Sequence, residues 1–224
     1  MEAALVNLKK YHTCVEEPLF KKLGKVVNVI GLTIESAGPD ARLGDICKIY
    51  PAGGGSSIMA EVVGFKGGMT QLMPYEVTDG IGSGSIVENT NMPLMVEITE
   101  DILGRTLDGL GRPVDGQSFT ASARYPVEAA PPDPLSREII DEVLPLGVKA
   151  VDGLLTVGKG QRIGIFAGSG VGKSTLMGMF ARNTTAEINV IALIGERGRE
   201  VREFIERDLG AEGMARSVVV VSTS

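Results

Sequence analysis

Residues 167–175 read Ala167-Gly168-Ser169-Gly170-Val171-Gly172-Lys173-Ser174-Thr175. Against the pattern of a glycine, four residues and then Gly-Lys-Ser/Thr, the match holds at Gly172, Lys173 and Ser174, with Ala167 in place of the first glycine. Nothing else in the chain restricts its fold as strongly, because such a loop works only between the end of a strand and the start of a helix. The flanks agree: Arg162 to Phe166 reads as a short buried strand, and Lys173 to about Asn183 as a helix.

The chemistry of the loop follows from its residue types. Glycines let the backbone turn successive N–H groups inward, and the helix start adds the positive end of its dipole. Gly168, Ser169, Gly170, Val171, Gly172, Lys173, Ser174 and Thr175 are therefore the expected nucleotide cradle. Lys173 would meet the β- and γ-phosphates, and the Ser174 hydroxyl would be a ligand for Mg²⁺, which makes ATP and Mg²⁺ the expected ligands.

Downstream of the loop, Asn189 to Ile194 reads as a second strand and Gly198 to Leu209 as a helix with Val201, Phe204, Ile205 and Leu209 on one face. Ser217 to Val221 reads as a third strand. Alternation of strand and helix points to a parallel sheet, whose ligands bind at the carboxyl ends of the strands. The second strand ends in Gly195-Glu196-Arg197-Gly198. Glu196 could face the γ-phosphate and orient a water, with Arg197 beside the phosphates, or it could merely complement the dipole of the following helix. Spacing leaves both readings open. A P-loop ATPase also needs a second acid after an apolar run, and Val218 to Val221 is followed by Ser222-Thr223-Ser224. Either that strand is not the acid-bearing one or the site is incomplete.

Upstream the pattern differs. All 11 prolines lie at or before Pro145. Short β-rich runs at Lys25–Ile30, Asp45–Tyr50, Ile58–Phe65, Met69–Met73, Ser85–Val87 and Leu94–Ile98 are separated by Gly, Pro and Asp turns. A small closed barrel or sandwich is the economical reading. Residues 99–145, with Asp108-Gly109, Asp115-Gly116 and Pro131-Pro132-Asp133-Pro134, read as an irregular connection. The expected organisation is an N-terminal segment 1–20, an all-β barrel 21–95, and an incomplete α/β P-loop domain with a parallel sheet over 96–224.

Composition excludes several alternatives. With 43% apolar residues the 224-residue chain can form its own core, and its 30 glycines follow no collagen period. His12 is the single histidine, and Cys14 and Cys47 lack ligand spacing, which excludes a His/Cys zinc site and a histidine-based triad. The net charge is −6 and no stretch is strongly basic. Nucleic acid is therefore not an expected partner, which argues against an RNA-binding hexameric translocase. No apolar run reaches membrane-spanning length and no signal-peptide core opens the chain. The chain reads as cytoplasmic.

Several motifs together resemble the catalytic-type subunits of rotary and type III secretion ATPases. They are Leu103-Gly104-Arg105, Asp108-Gly109-Leu110-Gly111-Arg112-Pro113, Leu146-Gly147-Val148-Lys149-Ala150-Val151-Asp152-Gly153-Leu154, and Gly158 through Ser174. With Gly195-Glu196-Arg197-Gly198-Arg199-Glu200-Val201-Arg202, the chain is most similar to the flagellar protein-export ATPases, with the injectisome secretion ATPases next. The resemblance implies that Glu196 is the catalytic glutamate and that the subunit works as a hexamer coupling ATP hydrolysis to protein export. It implies a central stalk protein, a membrane export gate, export substrates and their chaperones as partners. The implied location is peripheral, at the inner face of the cytoplasmic membrane. Leu5, Leu8, Tyr11, His12, Val15 and Leu19 recur at helical spacing, and the resemblance favours docking of residues 1–20 on a peripheral stator protein over packing on the barrel. It also implies continuation beyond Ser224 through an acid-bearing strand, an arginine finger and a helical domain. On that basis the chain is expected to be an N-terminal fragment with very weak ATP turnover or none, and a catalytically incomplete interaction module is the alternative.

Overall fold

The computed structural model describes residues 21–168 and 170–223. The segment 1–20 and Ser169 lie outside the described residues, as do the expectations placed on them. The chain divides into two compact units: residues up to Met95 together with Pro126–Glu128, and Val96–Tyr125 with residues from Ala129 onward.

The first unit is a closed six-stranded barrel. Its strands are β1 (Leu23–Ile30), β2 (Thr33–Ala37), β3 (Ile46–Tyr50), β4 (Ile58–Lys66), β5 (Met69–Pro74) and β6 (Ile86–Asn89). They close in the order β1-β2-β5-β4-β3-β6, every neighbouring pair being antiparallel. Alternation puts Val26, Ile34, Cys47, Ile49, Val62, Leu72 and Val87 inside, each almost wholly buried. Full burial of a side chain such as Leu72 contributes roughly 1.5–3 kcal/mol.

Two sequence expectations for the barrel need correction. The strand Thr33–Ala37 was not anticipated, because Thr-Ile-Glu-Ser-Ala has only one large apolar residue. Its inward positions are Ile34 and Ser36, and the buried Ser36 hydroxyl is satisfied by the carbonyls of Lys25 and Gly38. Gly31, at a φ of 60°, makes the tight turn that returns β1 into β2. Conversely, the run at Leu94–Ile98 is not a barrel strand: β7 (Met95–Ile98) pairs with β9 (Ala123–Pro126) in a separate two-stranded sheet.

The second unit holds a parallel sheet ordered β10 (Asn189–Glu196), β11 (Ser217–Thr223), β8 (Thr106–Asp108). Its helices are α1 (Lys149–Asp152), α2 (Lys173–Asn183), α3 (Gly198–Glu203) and α4 (Gly210–Ala215). A π-helical stretch, Phe204–Leu209, lies between α3 and α4. The core is Ala181, Leu193, Val201, Phe204, Leu209 and Val219, so the expected apolar face of the 198–209 helix is the face that packs. Gly178 lets α2 approach the π stretch: a Cβ there would lie 2.5 Å from the Asp208 carbonyl oxygen.

Two corrections apply here as well. Residues 99–145 are not wholly irregular, since the three-residue β8 completes the parallel sheet. It is too short for periodicity to reveal. The run Arg162–Phe166 is not a strand and is not buried; Ile163 is 48% and Phe166 98% exposed. A strand exists only through its ladder, and no described residue is hydrogen-bonded along this run as a neighbouring strand would be.

Candidate functional site

The glycine-rich loop leads from the run 161–166, which has no regular secondary structure, into α2. Gly170 has a φ of 75° and Gly172 one of 94°, values at which any residue with a Cβ is strained. A Cβ built at Gly168, Gly170 or Gly172 meets nothing within 4 Å, so these glycines face open space and serve backbone conformation rather than close packing. Gly172 is the N-cap of α2 and offers no side-chain acceptor. The N–H groups of the first turn therefore have no side-chain cap and are available to an anion.

Glu196 arrives from the opposite side of the site. It is the last residue of β10, and the β10–β11 register shifts between Ile194 and Glu196. Gly195, at a φ of 70°, makes that irregularity and re-aims the side chain at the strand end. The result is a 3.9 Å separation between Lys173 Nζ and Glu196 Oε1, with both side chains partly exposed.

Loop and carboxylate share one cavity of about 420 Å³, lined by Gly168, Gly170, Gly172, Lys173, Ser174, Thr175 and Glu196. The far wall holds Glu200, Glu203, Phe204 and Asp208. A second cavity of about 430 Å³ shares Lys173, Ser174, Glu196, Glu200 and Phe204 and continues between Ile163, Ile165, Met177, Ala192, Leu193 and Ile194. A polar chamber at the helix start thus opens onto an apolar one. With Lys173 and the helix start facing four carboxylates, that combination suits a ligand whose polyanionic tail is carried with a divalent cation.

Among the sequence-derived candidates, Gly168, Gly170, Gly172, Lys173, Ser174, Thr175 and Glu196 are brought together around this cavity. Val171 is exposed and does not line it. Arg197 also lies outside the lining; its guanidinium is 3.8 Å from Glu200 Oε1, and its side chain is mostly exposed. Sequence reasoning did not single out Glu200, Glu203 or Asp208. The spacing of Glu200 and Glu203 at i and i+3 on α3 was a usable signal. The π stretch that carries Asp208 has none.

The donor set bears on the metal. Among the described residues no group of three His, Cys, Asp or Glu side chains could hold an ion alone. Ser174, on the cavity wall beside Lys173, fits a different arrangement, in which a divalent ion is held mainly by phosphate oxygens and water with one protein hydroxyl.

Comparison with known proteins agrees with this geometry. The model of the ATP synthase alpha/beta family beta-barrel domain matches residues 26–91, and that of the family's nucleotide-binding domain matches residues 147–224. A flagellum-specific ATP synthase of Bacillus subtilis is 54% identical over 214 residues, covering 94% of this chain and 49% of the relative. A type 3 secretion system ATPase of Xanthomonas euvesicatoria is 51% identical over 205 residues, covering 91% and 46%. The assembled ATPase EscN of enteropathogenic E. coli, solved in complex with its central stalk EscO, superposes with a TM-score of 0.80 at 42% identity, covering 89% of this chain and 49% of that one. The chain spans about half the length of the relatives it matches. With a closed barrel ahead of a phosphate loop that opens a helix beside a parallel sheet, and with both domain models matched in that order, the chain belongs to the ATP synthase alpha/beta family.

Proposed function

We propose that this chain binds Mg-ATP in the cavity at residues 168–175 and serves an ATPase of flagellar type III protein export. The observation that carries the reading is the convergence of Lys173 and Glu196, 3.9 Å apart, on a helix start whose N–H groups have no side-chain cap. In this reading the loop amides and Lys173 hold the phosphates and neutralise charge as it moves toward the leaving group. Ser174 would help hold Mg²⁺, which when bound would supply further charge stabilisation on the phosphoryl oxygens. Glu196 orients the attacking water in line, and Arg197 reaches the phosphates by rotation of its exposed side chain.

The names of the relatives support the export setting, and the structures of the assembled ATPase EscN, one of them in complex with its central stalk EscO, support an oligomer with a stalk. By analogy the whole protein would assemble as a hexamer around a stalk and act on export substrates and their chaperones at a membrane gate. It would meet a peripheral stator through residues 1–20 and sit in the cytoplasm against the inner membrane face. Among the described residues no helix is long and apolar enough to cross a membrane. A second reading, injectisome secretion, is favoured by the 51% identity to the Xanthomonas protein. Restoration of motility or of effector secretion, in strains lacking one ATPase or the other, separates the two.

Titration calorimetry with Mg-ADP and Mg-ATP tests the site. Saturable binding that Lys173→Ala abolishes is the expected result. No binding by the unsubstituted chain, or equal binding by the variant, would overturn the reading.

A further inference from the structure

Helix α2 is tied down at the end far from the phosphate loop. The Ala181 carbonyl in its last turn, and the carbonyl of its C-cap Thr184, are taken by donors from outside the helix. Arg216 donates from Nε and Nη2 to the Ala181 carbonyl, at 3.3 and 3.1 Å, and from Nη2 to the Thr184 carbonyl at 2.7 Å. Asn189 Nδ2 donates to the same Ala181 carbonyl at 2.9 Å and to Ser217 Oγ at 3.3 Å. The Asn189 N–H in turn donates to the Arg216 carbonyl at 2.9 Å.

The placement of these two residues matters more than their number of bonds. Asn189 is the first residue of β10, whose last residue is Glu196, and Arg216 immediately precedes β11. The Ala181 carbonyl is therefore a common origin. From it the helix runs back to Lys173, and from Asn189 the strand runs forward to Glu196. A helix rises ~1.5 Å per residue and a strand ~3.3 Å, and neither stretches, so axial slippage of α2 at this point would be passed on to the Lys173–Glu196 gap. Gly178 brings the middle of α2 against the backbone of Asp208, and just past the far end Thr184 Oγ1 and the Thr185 N–H donate to the Pro145 carbonyl, so Arg216 and Asn189 are the ties that run to the strands of the sheet.

We propose that Arg216, assisted by Asn189, is a positioning residue that registers the phosphate-loop helix against β10 and so sets the spacing of Lys173 and Glu196; its functional meaning rests on the nucleotide reading above. A guanidinium suits the task because its planar fork reaches two carbonyls at once and its charge sits at the negative end of the helix dipole. A lysine would keep the charge and lose the fork.

The test uses the 224-residue chain with Arg216→Ala, Arg216→Lys and Asn189→Ala. Amide hydrogen exchange along α2 and Mg-ADP affinity are both measured well below the melting temperature. Arg216→Ala should speed exchange of the first hydrogen-bonded amides, Leu176 and Met177, as well as of those in the last turn. It should weaken Mg-ADP about 10-fold, Arg216→Lys should recover part of that loss, and Asn189→Ala should act in the same direction with smaller size. Faster exchange confined to residues 181–184 with unchanged affinity would reduce Arg216 to an ordinary helix cap and overturn the proposal. If Arg216→Ala does not fold, the same two measurements on Asn189→Ala decide the question. If the unsubstituted chain fails to bind Mg-ADP, the nucleotide reading fails, while the exchange pattern still decides whether the register clamp exists.

Discussion

Lys173 and Glu196 face each other at 3.9 Å across the mouth of the phosphate loop, one from the first residue of a helix and the other from the last residue of a strand. The pair is partly exposed, so its mutual attraction is modest, roughly 0–1 kcal/mol. Its consequence is for ligand binding: the carboxylate competes with phosphate for the ammonium. Glu196→Gln should therefore tighten Mg-ADP by about 2- to 5-fold, an effect that shrinks with added salt, as calorimetry at two ionic strengths would show. In any assembly that turns over ATP, the same change should remove hydrolysis. Weaker nucleotide binding by the variant would contradict this account of the pair.

Gly178 is where the phosphate-loop helix meets the backbone of the π stretch. A methyl group there lies 2.5 Å from the Asp208 carbonyl oxygen and 2.8 Å from its Cβ. Backbone cannot step aside as a side-chain tip can. Gly178→Ala should cost about 1–3 kcal/mol in the second unit, read as a lowered urea midpoint by circular dichroism, even though alanine is the better helix former.

Asp108 predicts a pH dependence. Its Oδ1 accepts the Leu110 and Arg112 N–H groups at 2.9 and 2.8 Å, and Oδ2 accepts Arg112 Nε at 2.7 Å. Burial alone pushes its pKa up, but the Arg112 and Leu110 hydrogen bonds outweigh it, and the pKa falls below the ordinary 3.8. Asp115, hydrogen-bonded by Arg105 and by the Gln117 N–H, is lowered as well. A carboxylate lowered in the folded state contributes stability above its unfolded pKa and loses it as pH falls through the folded value. Melting temperatures should drop as pH falls below about 4, and less steeply in Asp108→Asn.

Cys47 lies inside the barrel with no exposed surface, and burial, with a smaller contribution from Asp45, pushes its thiol to about 11. In a Cys14→Ser background it should react with a disulfide reagent at pH 8 at least about 100-fold more slowly in the folded protein than in denaturant. Rapid native labelling would mean that the barrel opens far more readily than its packing suggests.

Much of the candidate cavity was legible from the glycine-rich loop and Glu196, because the loop's character lies in local backbone geometry. Glycine at 170 and 172 permits the positive φ values, and the helix that follows is a property of the next eleven residues. The inward alternation of the barrel strands was legible for the same reason, wherever a strand was long enough to alternate. Ser36 hid β2 because a buried serine looks like a surface residue until its two carbonyl acceptors are in place.

The sequence by itself determined the glycine-rich loop at 167–175 with a helix after it, the order of barrel and parallel-sheet units, and which residue types are on offer for the proposed phosphoryl chemistry. Tertiary structure alone decided that three-residue β8 joins the sheet, that Arg162–Phe166 stands outside it, and that Glu200, Glu203 and Asp208 wall the cavity. It also decided the tie from Arg216 to Ala181 across 35 residues. The division has one physical cause. Turns, caps and amphipathic faces are set by neighbours in the chain, whereas a ladder bond or a shared carbonyl exists only once distant segments have met.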